Sequence, residues 1–67
     1  DDALRELERA VSLEKEDAII RDHLGDAHFE KGNFNNARRE WEISLKLDSS
    51  QEKVKKKINN LESKIKN

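Results

Sequence analysis

Residues 24–41 read LGDAHFEKGNFNNARREW, and the order of residue types in this stretch decides the fold. Ile20 upstream, then Leu24, Ala27 and His28, recur at helical spacing, which predicts an amphipathic helix over about 17–31. Lys31-Gly32-Asn33 ends it, with Gly32 standing where a left-handed residue closes a helix. A second helix is expected over about 35–47, with Phe34 just before it and Asn35 as its N-cap. Ala37, Trp41, Ser44 and Leu45 would form its inner face. Gly25 inside a helix costs about 1 kcal/mol relative to alanine, so a packing reason is expected: two helix backbones approaching closely, with Ala37 facing Gly25. Trp41 has the apolar bulk to fill the space between hairpins.

The same spacing extends outward on both sides. Leu4, Leu7, Ala10 and Val11 predict a helix over about 2–14. Beyond the break at Asp48-Ser49-Ser50, Val54, Ile58, Leu61 and Ile65 predict another over about 51–65, with Ser49 or Ser50 as its cap. The connections are short, so neighbouring helices should run antiparallel. The expectation is one all-α domain of about four helices in antiparallel hairpins.

A shift of 34 residues superimposes the chain on itself. Ala3 falls on Ala37, Leu7 on Trp41, Ala10 on Ser44 and Val11 on Leu45; Ile20 falls on Val54, Leu24 on Ile58 and Ala27 on Leu61. Small residues meet small ones and large apolar residues meet large ones. The period, the pair Leu24-Gly25, His28 at the usual tyrosine place, Gly32 and Phe34 at the turn, and Ala37 and Trp41 together resemble the tetratricopeptide repeat. Two places depart from that pattern: Arg21 stands where tryptophan is common, and Ser49 where proline is common. The resemblance implies a right-handed helical solenoid. Residues 18–51 would be one full repeat, residues 1–17 the second helix of a preceding repeat, and residues 52–67 a C-terminal capping helix. The chain opens in mid-repeat, so a longer array is expected.

Composition narrows the function classes. The 67 residues are 43% charged and 33% hydrophobic, with no proline and two glycines, which does not suit a sandwich or barrel. There is no cysteine, hence no disulfide framework and no thiolate metal site. No apolar run approaches the roughly 18 residues of a membrane span, so no membrane insertion is expected. The net charge of −1 is unevenly spread: residues 1–34 hold ten acids and five bases, residues 35–67 five acids and nine bases. Such a dipolar layout can steer association or favour head-to-tail contacts. It is not the basic excess of a nucleic-acid binder. Lys53, Lys55, Lys56, Lys57, Lys64 and Lys66 are expected to form a wet outer face on the last helix, as a terminal helix of a repeat array requires. No aromatic residues interleave them for base stacking.

No catalytic or cofactor site is legible. His23 and His28 are five residues apart and do not share a helix face, so they do not form a metal pair. Asp22, Asp26 and Glu30 do share one face, but no nucleophile or second cluster joins them. Phosphate-loop and nucleophile-elbow patterns are absent. A non-enzymatic protein without metal or cofactor is therefore expected. By resemblance, Ile19, Asp22, His23, Asp26, Phe29 and Glu30 would line a concave groove that receives a protein or peptide partner, and its acids would favour a basic one. Some members of that family clamp a carboxylate with basic residues in the groove; Asp22 and Asp26 argue against that mode here. Leu24, Gly25, His28, Gly32, Phe34, Ala37, Trp41 and Leu45 would serve repeat packing. Fewer than two repeats are present where three or more are usual. A homo-oligomer formed through Leu4, Leu7 and Val11 is therefore the alternative.

Overall fold

In the computed structural model, which describes residues 2–14 and 16–66 and the side chains of 2–14 and 16–64, four helices follow one another. They are α1 (Asp2–Leu13), α2 (Ala18–Glu30), α3 (Phe34–Leu47) and α4 (Glu52–Lys66), with no strand among the described residues. Each helix packs on the next. Asp17 starts α2: its Oδ1 accepts the amides of Ile19 at 2.9 Å and Ile20 at 3.2 Å, an N-cap the sequence reading did not single out. The end of α2 is as expected. Gly32 has φ +81°, its amide bonds the Phe29 carbonyl at 3.0 Å, and the Asn33 amide reaches His28 at 2.9 Å. This is the paired closing geometry that a left-handed glycine permits.

Two expected caps are corrected. Phe34 is the first residue of α3 rather than its predecessor, and the cap position belongs to Asn33, not Asn35. The Asn33 side chain makes no capping bond; its carbonyl accepts the Ala37 amide at 2.9 Å. Before α4, neither Ser49 nor Ser50 caps the helix among the described residues. Asp48 organises the turn instead, its Oδ1 accepting the Ser50 amide at 3.1 Å and the Ser50 hydroxyl at 2.6 Å. Those bonds favour the ionised Asp48 carboxyl and hold it below its ordinary pKa.

The contacts fix helix directions. Along α2, Ala18, Asp22 and Phe29 meet Ser44, Trp41 and Phe34 in turn, so α2 and α3 are antiparallel. Asp22 and Asp26 meet Lys57, and Phe29 meets Lys64, so α4 lies beside α2 in the same direction. The radius of gyration is 11.3 Å, against about 11 Å for a compact chain of this length. The thinnest dimension, 13 Å, is that of two helix backbones packed at ordinary spacing.

The core is small and joins three helices. Ala37 and Trp41 of α3 pack with Val54, Ile58 and Leu61 of α4, with Phe29 and Leu45 against them. Leu24, Gly25 and His28 are buried on α2, with Ile20 and Ala27 half-buried beside them, and Val11 is the buried residue of α1. Ile65, expected to extend the α4 stripe, lies outside the residues whose side chains are described.

Gly25 has a more specific reason to be glycine than backbone approach to Ala37. A Cβ there would fall inside van der Waals contact of Trp41 Cδ1 and Nε1 and 3.0 Å from Cε2. The indole fills the space of the missing side chain, and Trp41 is 3% exposed. Gly25→Ala gains helix propensity but drives a methyl into a packed ring. The expected net result is destabilisation of about 1–2 kcal/mol, read as a lower urea midpoint. An unchanged or higher midpoint would contradict this packing.

Candidate functional site

The α2 register places Asp22, Asp26, Phe29 and Glu30 on one flank, and the parallel α4 brings Lys57, Asn60 and Lys64 opposite them. Between the two helices lies an open groove of about 320 Å³, lined by Asp26, Phe29, Glu30, Trp41, Lys57, Asn60 and Lys64. Its floor is aromatic. Phe29 lies 5.8 Å from Trp41 (interplanar angle 34°) and 5.4 Å from Phe34 (47°), centroid to centroid. Lys64 Nζ sits 5.2 Å from the Phe29 centroid and Lys57 Nζ 5.9 Å from that of Trp41, within cation–π range.

Lys57 is the electrostatic centre. Its Nζ donates to Asp22 Oδ1 at 2.9 Å and to Asp26 Oδ1 and Oδ2 at 2.9 and 3.1 Å. Asp26 Oδ1 also accepts the Trp41 indole N–H at 3.2 Å, which is shared with the Asp22 carbonyl at 3.2 Å. Partial desolvation pulls the Lys57 pKa down, but the hydrogen bonds and charges of Asp22 and Asp26 outweigh it and hold the ammonium above its ordinary value. At the start of α2, Arg21 Nη1 bonds Glu40 Oε1 at 2.7 Å, with both side chains less than a fifth exposed. This occupies the position where the repeat pattern commonly has tryptophan.

The expected groove set is only partly assembled. Asp26, Phe29 and Glu30 line the groove, and Asp22 joins through Lys57. His23 is exposed and borders a cleft between α1 and α2 with Ala3, Leu7, Asp26, Ala27 and Glu30. Ile19 is 63% exposed at the far end of α2 and is not part of the lining. Of the expected packing residues, Leu24, Gly25, His28, Ala37 and Trp41 are buried, Leu45 is half-buried, and Phe34 and Gly32 are exposed at the turn. On α1, Leu4 and Leu7 are half-buried and Val11 is 9% exposed, so this edge is less open than expected. His28 Nδ1 is buried without a hydrogen-bond partner among the described residues.

Sequence reasoning missed the α4 side. Lys57 and Lys64 do not point away from α2: half-buried Lys57 and exposed Lys64 project over the groove floor. The signal was available, because Lys57, Asn60 and Lys64 stand one period after His23, Asp26 and Glu30. Among the described residues no cluster of His, Cys, Asp or Glu could hold a metal ion, and no helix is long and apolar enough to cross a membrane. No protein-family model, curated protein or solved structure matches this chain.

Lys57→Met keeps the apolar stem and removes the charge. It should lower stability by about 0.5–1 kcal/mol, because the bridges remain partly solvated. The folded pKa is raised, so the charge contribution is fully present below the ordinary lysine value of 10.5 and fades as pH climbs through the folded value above it. The stability gap between wild type and variant should therefore close at alkaline pH. A gap that persists there would show that the charge is not its source.

Proposed function

We propose that this chain is a non-catalytic protein-interaction scaffold of tetratricopeptide-repeat type, which holds a segment of a partner protein in the groove between α2 and α4. The observation that carries this reading is the groove itself. It combines an aromatic floor, Phe29 and Trp41, with charged side chains on both lips. The domain reading agrees with the contacts. Asp22 and Asp26 reach Lys57 across 35 and 31 residues, close to the repeat period, as expected of equivalent helices lying side by side.

The partner chemistry follows from what the groove leaves unsatisfied. Glu30 is exposed and in no ion pair among the described residues, and the Asp26 side chain remains 44% exposed beside Lys57. An apolar side chain would cover Phe29 and Trp41, and an adjacent basic residue would meet Glu30 and Asp26. An acidic segment would meet Lys64 alone, because Lys57 is already held by two carboxylates.

Trp41 is the only tryptophan, so its fluorescence reports directly on the groove. Randomised peptides of basic and apolar composition should perturb that emission more strongly than acidic ones. Phe29→Ala and Glu30→Lys should each weaken the response at least fivefold while leaving far-ultraviolet dichroism unchanged. The reading fails if no peptide class perturbs Trp41, or if binding is indifferent to both substitutions.

A further inference from the structure

We infer that the outer faces of α1 and α4 are complementary, so that copies of this chain associate head to tail, the α1 of one copy docking on the α4 of the next. The inference rests on comparing each open face with its own repeat equivalent inside the molecule. Ala37, Trp41 and Ser44 of α3 are 0%, 3% and 0% exposed, covered by α2 on one side and α4 on the other. One period earlier, on α1, Ala3 is exposed and Leu7 and Ala10 are half-buried, with α2 on one side only. The opposite surface repeats the comparison. Arg21 and Gly25 of α2 are covered by α3, whereas Lys55 and Asn59, their equivalents on α4, are exposed.

Docking α1 of one copy on α4 of another, as α3 docks on α2, reproduces the internal contacts in modified form. The half-buried pair Arg21–Glu40 becomes Lys55–Glu6, again a base facing an acid. Among the described residues Lys55 holds only an exposed contact to Glu52 at 3.0 Å, which costs little to exchange. Trp41 seated on Gly25 becomes Leu7 seated on Asn59: a smaller knob meets a larger seat, so combined bulk is roughly maintained. Ala10 replaces Ser44 and lacks the hydroxyl that bonds the Ala18 carbonyl, which makes the copy-to-copy contact weaker than the internal one. Long-range charge supports the same orientation. α1 carries three acids and two bases, whereas α4 carries six lysines and two acids, with Lys57 and Lys64 turned to the α2 groove. The contact joins two different surfaces, so it does not close on a twofold axis and builds open chains.

The test is sedimentation across concentration and salt on the wild-type chain and two variants altered only at exposed positions. Ala3→Arg with Glu6→Arg blocks the α1 face; Lys55→Glu with Asn59→Glu blocks the α4 face. Wild type should show a weight-average mass that rises with concentration without stopping at a dimer, and that falls with added salt. Each variant, with helicity unchanged by circular dichroism, should associate at least tenfold more weakly, and a 1:1 mixture of the two should recover association. A monomer at all concentrations would overturn the proposal and leave these faces to other repeats or partners. A dimer that survives the α4 variant would also overturn it, because it would identify a symmetric α1 contact. Neither outcome bears on peptide binding in the α2–α4 groove, which Trp41 reports separately.

Discussion

The indole of Trp41 occupies the volume that a side chain at residue 25 would need, and the arrangement of α2, α3 and α4 depends on that exchange. Gly25 weakens α2 locally, by about 1 kcal/mol relative to alanine. In return, the largest side chain of the chain sits against the α2 backbone. It joins the core of Val54, Ile58 and Leu61, and its ring centroid lies 5.8 Å from that of Phe29 at a 34° tilt. Burial of the ring would strand the indole N–H, a penalty of about 1–3 kcal/mol. The Asp22 carbonyl and Asp26 Oδ1 accept it, and both lie within one turn of Gly25. One residue thus joins three helices, and its hydrogen bonds orient the carboxylate on which the groove is built.

That carboxylate links packing to electrostatics. Asp26 Oδ1 serves the indole N–H and the Lys57 ammonium together, and Lys57 also reaches Asp22. Two acids four residues apart on one helix would otherwise repel each other. A lysine from the neighbouring helix turns that repulsion into a tie between α2 and α4. The groove is therefore not a bare acidic channel. Around Lys57 the groove holds two carboxylates, Asp22 and Asp26, and towards Phe29 the Glu30 carboxylate and the Lys64 ammonium stand on its opposite lips.

The legible part of the fold was the part governed by local period. The four helices follow from apolar spacing, and the turn at Gly32 follows from the need for a positive φ. Helix starts were less legible because Asn33, Asn35, Ser49 and Ser50 all have capping side chains. The choice among them depends on neighbours that spacing does not show: the Phe34 ring lies 5.4 Å from Phe29 at the start of α3, and Asp48 holds Ser50 in a local turn before α4. Half of the groove was legible for the same reason. Asp26, Phe29 and Glu30 share a helix face, which spacing shows, whereas Lys57, Asn60 and Lys64 join them only through α2–α4 packing. Applying the 34-residue period to α4, and not only to its apolar stripe, would have placed those residues opposite α2.

A second polar contact explains why the groove residues stay in register. Ser44 is fully buried, and its hydroxyl donates to the Ala18 carbonyl at 2.7 Å while accepting from Gln51 Nε2 at 2.9 Å. The Gln51 amide also reaches the carbonyls of Ser44 and Asp48, at 3.0 and 3.1 Å. Sliding α3 along α2 by one turn would leave a buried hydroxyl without its acceptor, at a cost of about 1–3 kcal/mol. Apolar packing alone tolerates such slippage better than a satisfied polar network does. Ser44 and Trp41 lie three residues apart on α3 and engage opposite ends of one stretch of α2, at Ala18 and Gly25. Two pins at different heights fix both translation and rotation of the helix pair. Gln51 carries the same constraint into the first residues before α4, so Lys57 arrives opposite Asp22 and Asp26 rather than a turn away from them.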